Sequence, residues 1–91
     1  MTNVHNPITP EEAQQMAEMF NWAASEPLIQ KMEMYTFKQN AIELKTITVF
    51  YEITTLVWTS NEKWIFIMEK GLTLTEAMQE WGAKWAKVSG L

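Results

Sequence analysis

The chain of 91 residues contains no cysteine, no arginine and no aspartate. Without cysteine there is no disulfide framework, no thiol nucleophile and no thiolate metal site. Without arginine there is no planar fork for bidentate recognition of phosphate, carboxylate or guanine. Without aspartate the commonest ligand of Mg²⁺ and Ca²⁺ loops is missing. Histidine occurs once, at His5, whereas a zinc site wants three or four histidine, cysteine or carboxylate ligands. The glycines stand alone at Gly71, Gly82 and Gly90, so no glycine-rich loop can cradle a phosphate. The longest unbroken apolar run, Trp64 to Met68, has five residues, far below the roughly 20 that span a bilayer as a helix. No basic stretch followed by an apolar one opens the chain, as a secretory leader would. A cytoplasmic protein is therefore expected, with no cofactor, no metal and no membrane contact.

What is present is apolar and aromatic. Hydrophobic residues make up 47% of the chain and the net charge is only −4, a balance that favours a folded domain over disorder. The length suits one domain. All seven basic residues are lysines and all eleven acidic ones are glutamates, both scattered. Dispersed lysines on an acidic chain make no electrostatic footprint for nucleic acid. Glutamates this spread out do not form the dense carboxylate rows that a nucleic-acid mimic needs.

Residues 1–8 have no periodicity and are expected to form a flexible N-terminal tail, with a single α+β domain over 9–91. Thr9-Pro10-Glu11-Glu12 is a helix start: threonine caps, proline suits the first helical position, and Glu12 completes a capping box. The helix is predicted over Pro10–Ser25 and ends at Glu26-Pro27, because residues before proline avoid the α region. At 100° per residue, Ala13, Met16, Ala17, Phe20 and Ala24 share a stripe, the expected core face. Trp22 projects to the opposite side, among Glu11, Gln15 and Glu18, with Met19 at the border.

From Leu28 to Met68 the chain turns β-branched and aromatic. A first strand is predicted over Leu28–Phe37, a turn at Lys38-Gln39-Asn40, a long second strand over Ile42–Trp58, a turn over Thr59–Lys63 and a third strand over Trp64–Glu69. Turns this short imply antiparallel neighbours. Apolar positions switch parity along the second strand, which predicts bulges or bends near Lys45-Thr46 and Thr54-Thr55. A break at Thr54-Thr55 would make four strands. Thr73-Leu74-Thr75-Glu76 starts a second helix, predicted over Leu74–Val88 and ended by Gly90. Leu74, Ala77, Met78, Trp81, Trp85 and Val88 form its apolar face. Gly82, mid-helix, is expected to let another backbone come close.

The predicted order is α-β-β-β-α, with a three- or four-stranded antiparallel sheet packed by an N-terminal and a C-terminal helix. That order is similar to the double-stranded-RNA-binding domain, whose last helix begins with a lysine cluster that grips phosphates. The matching stretch here, Thr73–Glu80, carries Glu76 and Glu80 and no lysine, so the likeness stops at element order.

Catalytic candidates are few. His5 would need a serine or threonine nucleophile and a glutamate brought in by folding. Glu11, Glu12 and Glu18 are explained by capping and solvation. Glu33, Glu43 and Glu52 read as cross-strand partners of Lys31, Lys38 or Lys45. An enzyme is not expected. The strands, however, are apolar on both faces and need cover on both, and two helices of about 15 residues cover one face of such a sheet. Either the helices split between the faces, or a second copy or another molecule covers the remainder. Trp22, exposed beside Met19, and Tyr35 and Phe37 on the first strand are the expected partner-binding residues. The expected function is non-enzymatic: a regulator, adaptor or inhibitor that binds another protein, of the build of phage- or mobile-element-encoded accessory proteins. Two alternatives stand beside it, a small apolar ligand held between sheet and helices and a structural homodimer.

Overall fold

The computed structural model describes residues 2–90. Its elements follow the order β1 (Thr2–Val4), α1 (Pro10–Ser25), β2 (Ile29–Ala41), β3 (Thr46–Trp58), β4 (Trp64–Gly71) and α2 (Leu74–Ser89). The protein is of the α+β class, with two helices on a four-stranded sheet. β3 is the central strand. β2 pairs along its whole length on one edge, antiparallel, while β4 and β1 lie end to end on the other. β4 is antiparallel to β3 but β1 is parallel, with Thr2 opposite Thr46 and Val4 opposite Thr48. The sheet is thus mixed, not purely antiparallel, and the expected tail contains a strand. The tail is tied further by Tyr51, whose hydroxyl donates to the Asn6 carbonyl at 2.7 Å, and by the Asn6 amide, which donates to the Leu72 carbonyl at 3.2 Å.

The first hairpin turns later than the sequence pattern predicts. β2 runs on through Lys38-Gln39-Asn40, and the loop is Ile42-Glu43-Leu44-Lys45. The Lys45 N–H donates to the Ile42 carbonyl at 3.1 Å, and Lys45 takes φ 51° without a glycine or asparagine to mark the place. Ile42 and Leu44 kept the apolar alternation going, yet both project into solvent at the tip. Of the two bends predicted in the second strand, the one near Lys45-Thr46 is the hairpin turn itself, and the one at Thr54-Thr55 is absent, since β3 pairs without interruption from Thr46 to Leu56. The irregularity lies in β2 instead, between Ile29 and Lys31. The parity switch along β3 reports two apolar faces, not a kink.

Both helices pack on one face. α2 lies over β3 and β4, and α1 lies over β2 and beside α2. Between them Tyr51, Ile53, Val57, Ile67, Leu74, Ala77, Trp81 and Val88 form the core, with Met16 from α1. The Trp81 indole N–H donates to Thr55 Oγ1 at 2.7 Å, which satisfies the polar atom of each buried side chain. The apolar face of α2 is the predicted one. That of α1 is not: Glu12, Met16 and Ala23 are buried with Met19 half-buried, while Ala13, Ala17, Phe20 and Ala24 are exposed.

The rotation of α1 follows from Glu12. Its carboxylate accepts the Thr9 N–H at 3.0 Å, closing the capping box of α1, and the Thr75 N–H and hydroxyl at 2.8 and 2.7 Å. One side chain therefore serves the N-termini of both helices, where orphan N–H groups and the positive dipole ends favour an anion. The close approach of backbones occurs at Gly71, not Gly82. A Cβ on Gly71 would sit 2.5 Å from Glu76 Cβ and 2.7 Å from the Ala77 nitrogen, whereas one on Gly82 would meet nothing within 4 Å. No helix among the described residues is long and apolar enough to cross a membrane.

Candidate functional site

Strand alternation assigns every sheet residue to a face. Since Tyr51, Ile53, Thr55 and Val57 point to the helices, the even-numbered residues of β3 point the other way, and pairing carries the assignment to β2 and β4. The open face then reads as rows across the sheet. Trp58 pairs with Trp64. Leu56 stands between Lys31 and Phe66, Thr54 between Glu33 and Met68, and Glu52 between Tyr35 and Lys70. Phe50 pairs with Phe37. Trp64, Phe66 and Met68 are 59%, 60% and 55% exposed, and Tyr35 is also exposed. Leu56, Trp58, Phe37 and Phe50 are half-buried.

Several side chains on this face are in mutual contact. The Trp58 and Trp64 rings meet at 4.6 Å between centroids, and Phe37 stacks on Phe50 at 5.2 Å, geometries that contribute beyond area alone. The Lys70 ammonium lies 5.1 Å from the Phe50 centroid and 5.8 Å from that of Phe37, within the range of a cation–π contact. Lys31 and Glu33 form an ion pair at 2.6 Å, which at this exposure fixes geometry more than it stabilises. A shallow depression of about 180 Å³ lies among Lys31, Glu33, Tyr35, Thr54, Leu56 and Phe66. The arrangement is an apolar, aromatic platform with a charged border, the composition of a protein interface.

Of the residues expected to bind a partner, the structure brings Tyr35 and Phe37 to this platform and places Trp22 and Met19 elsewhere. Met19 packs against the core from α1. Trp22 is 39% exposed but sets its edge against Trp81 and Trp85, at 5.9 and 5.5 Å between centroids. Trp81 and Trp85 in turn stack at 5.6 Å, so Trp22 seals the crossing of the two helices. Trp64, Phe66 and Met68, which the sequence pattern does not single out, are the further surface residues of this face. The signal is nonetheless in the sequence: an unbroken apolar run in a strand must put alternate residues on opposite faces.

His5 and Glu12 lie away from the platform, whose own ionisable groups are Lys31, Glu33, Glu52 and Lys70. His5 is exposed, with Nε2 3.4 Å from the Tyr51 hydroxyl. Glu12 has its pKa lowered from 4.5 to about 2, first by the Thr9 N–H, then by the Thr75 hydroxyl, against the opposing effect of burial. A carboxylate held ionised this firmly is a helix cap and a poor proton acceptor. No cluster of three or more His or Glu able to hold a metal ion occurs among the described residues. Comparison with protein families, with characterised proteins and with solved structures finds no match.

Proposed function

We propose that this chain is a non-enzymatic binding protein, a regulator, adaptor or inhibitor, whose working surface is the open face of the sheet. The observation that carries the reading is the trio Trp64, Phe66 and Met68, each more than half exposed on the same face of β4. Large apolar groups set on a rigid element, rimmed by charge, are what a desolvated protein contact uses. The strand also holds them at low entropic cost, since backbone and neighbouring rings already restrict them. The second expectation, an apolar ligand between sheet and helices, finds less support. Ile53, Val57, Ile67 and Ala77 have no accessible surface and fill that layer.

Hydroxyl-radical footprinting tests the reading directly. Trp64, Phe66 and Met68 should react strongly in dilute purified protein and be protected in extract of the native host or at high concentration. Unchanged reactivity under both conditions would overturn it. Trp22 serves as the internal control and should change little. Trp22→Ala should instead lower stability by about 1–2 kcal/mol, through lost edge contacts and area at the helix crossing, and leave protection of the open face intact.

A further inference from the structure

We infer that the open face is covered by a second copy of this chain, packed face to face about a two-fold axis that runs along β3. The inference rests on the reading of that face as the working interface and names its occupant. Area calls for an occupant, and charge and the pattern of the rows favour a copy over a different partner. The chain exposes 6179 Å² at a mass of 10.6 kDa, against about 5,500 Å² for a compact monomer of that mass. Its radius of gyration is 14.9 Å, where about 12 Å is usual for this length. The excess, on the order of 700 Å², is shared between the projecting hairpin, where Ile42 and Leu44 are 81% and 77% exposed, and the open face with Trp64, Phe66 and Met68.

The first feature that favours a copy is charge. The whole chain carries −4, yet the platform rows hold Lys31 and Lys70 against Glu33 and Glu52, a neutral set. A surface addressed to a strongly basic or acidic partner would carry one sign, whereas a surface that must meet itself needs both or neither.

The second is the pattern of the rows. An axis parallel to β3, between the two sheets, exchanges the β2 and β4 positions within each row and sets each β3 residue over its own mate, so that Glu52 meets Glu52 of the copy with a Lys70 on either side. Phe66 of one copy then lies over Lys31 of the other, Lys70 over Tyr35, and Met68 over the row end held by Glu33. Each cation meets a ring, and by symmetry each contact forms twice. The apolar β4 stripe covers the mixed β2 stripe, where an axis across the strands would set β4 on β4 and the charged β2 stripe on itself. Facing sheets pack about 10 Å apart, a spacing that rings of this size fill.

Light scattering after size exclusion tests the inference, on the wild type and on Phe66→Glu and Met68→Glu, from about 1 to about 100 µM. The wild type should run at twice 10.6 kDa. Each variant should keep the wild-type circular dichroism and dissociate at least about 30 times more readily, the scale of losing a central anchor. Wild type that stays at 10.6 kDa throughout overturns the second copy, and a radical footprint still protected in extract would then assign the same face to a different protein. A dimer that survives both substitutions also overturns it, and places the contact elsewhere, on the free edge of β2 for instance.

Discussion

On the helix side of β3, Ile53 and Val57 lose all their accessible surface, while on the opposite side Leu56 and Trp58 pair with Phe66 and Trp64 and remain in contact with water. The two faces carry side chains of the same kind, so composition does not decide which one is closed. Connections and caps decide it. Glu26 to Leu28 leads from α1 into β2, and Leu72-Thr73 leads from β4 into α2, and such short links leave each helix little choice of side. The Glu12 carboxylate then binds the two helix starts together over that one face. A helix of 16 residues is about 24 Å long, while a strand of 13 residues reaches about 43 Å. The helices therefore cover the sheet only from Tyr51 onward, and the far hairpin projects along the 48 Å long axis of the molecule.

The sharpest way to break this comparison is to shorten neighbours on opposite faces. Ile67 is fully buried and Phe66, next to it, is 60% exposed. Ile67→Ala should cost about 3 kcal/mol, through lost transfer energy and the cavity left behind. Phe66→Ala should cost less than about 1 kcal/mol in dilute solution, despite deleting a larger side chain. Urea titrations at one low protein concentration measure both. Equal losses would mean that the open face contributes to the stability of the single chain, and the distinction between the faces would fail.

The next test loosens the cover. Glu12 has a folded pKa of about 2 against 4.5 in the open chain. A depressed carboxylate contributes its full stability above the unfolded value and loses it as pH falls from 4.5 toward about 2. Glu12→Gln should cost about 2 kcal/mol at pH 7, since an amide nitrogen replaces one acceptor facing Thr9 or Thr75. The variant should also lose stability less steeply than wild type across that acid window. Parallel pH profiles for the two proteins would show that the carboxylate does not hold the helices together.

Much of this architecture is legible in the chain. α1 starts at Pro10 and stops at Ser25 as the cap and the Glu26-Pro27 step dictate, and α2 buries the stripe from Leu74 to Val88. What escaped reading has long-range causes. Alanines on both sides of α1 leave its stripe undecided, and the deciding bonds reach from Glu12 to Thr75, 63 residues away. Nothing local marks Thr2–Val4 as a strand, because its partner is Thr46–Thr48. The hairpin loop hides behind Ile42 and Leu44, which look like strand residues and sit at an exposed tip. On the platform, Tyr35 and Phe37 were legible as surface aromatics, while Trp64, Phe66 and Met68 needed the register to separate them from Ile65 and Ile67.

The smallest expected effect concerns the outer side of the cover. Gly82 lies in the middle of α2, where glycine costs about 1 kcal/mol relative to alanine because the unfolded chain loses more freedom. A glycine kept at such a position calls for a close neighbour, and at Gly71 there is one, but around Gly82 a Cβ would find open space. Gly82→Ala should therefore raise stability by about 0.5–1 kcal/mol, seen as a later urea midpoint with unchanged slope. It should leave association through the open face unaltered, since α2 turns Gly82 away from the sheet. A stabilised variant with weakened association would place a second contact on the back of α2, and the two sides of the molecule would no longer divide cleanly into one that holds the fold and one that meets a partner.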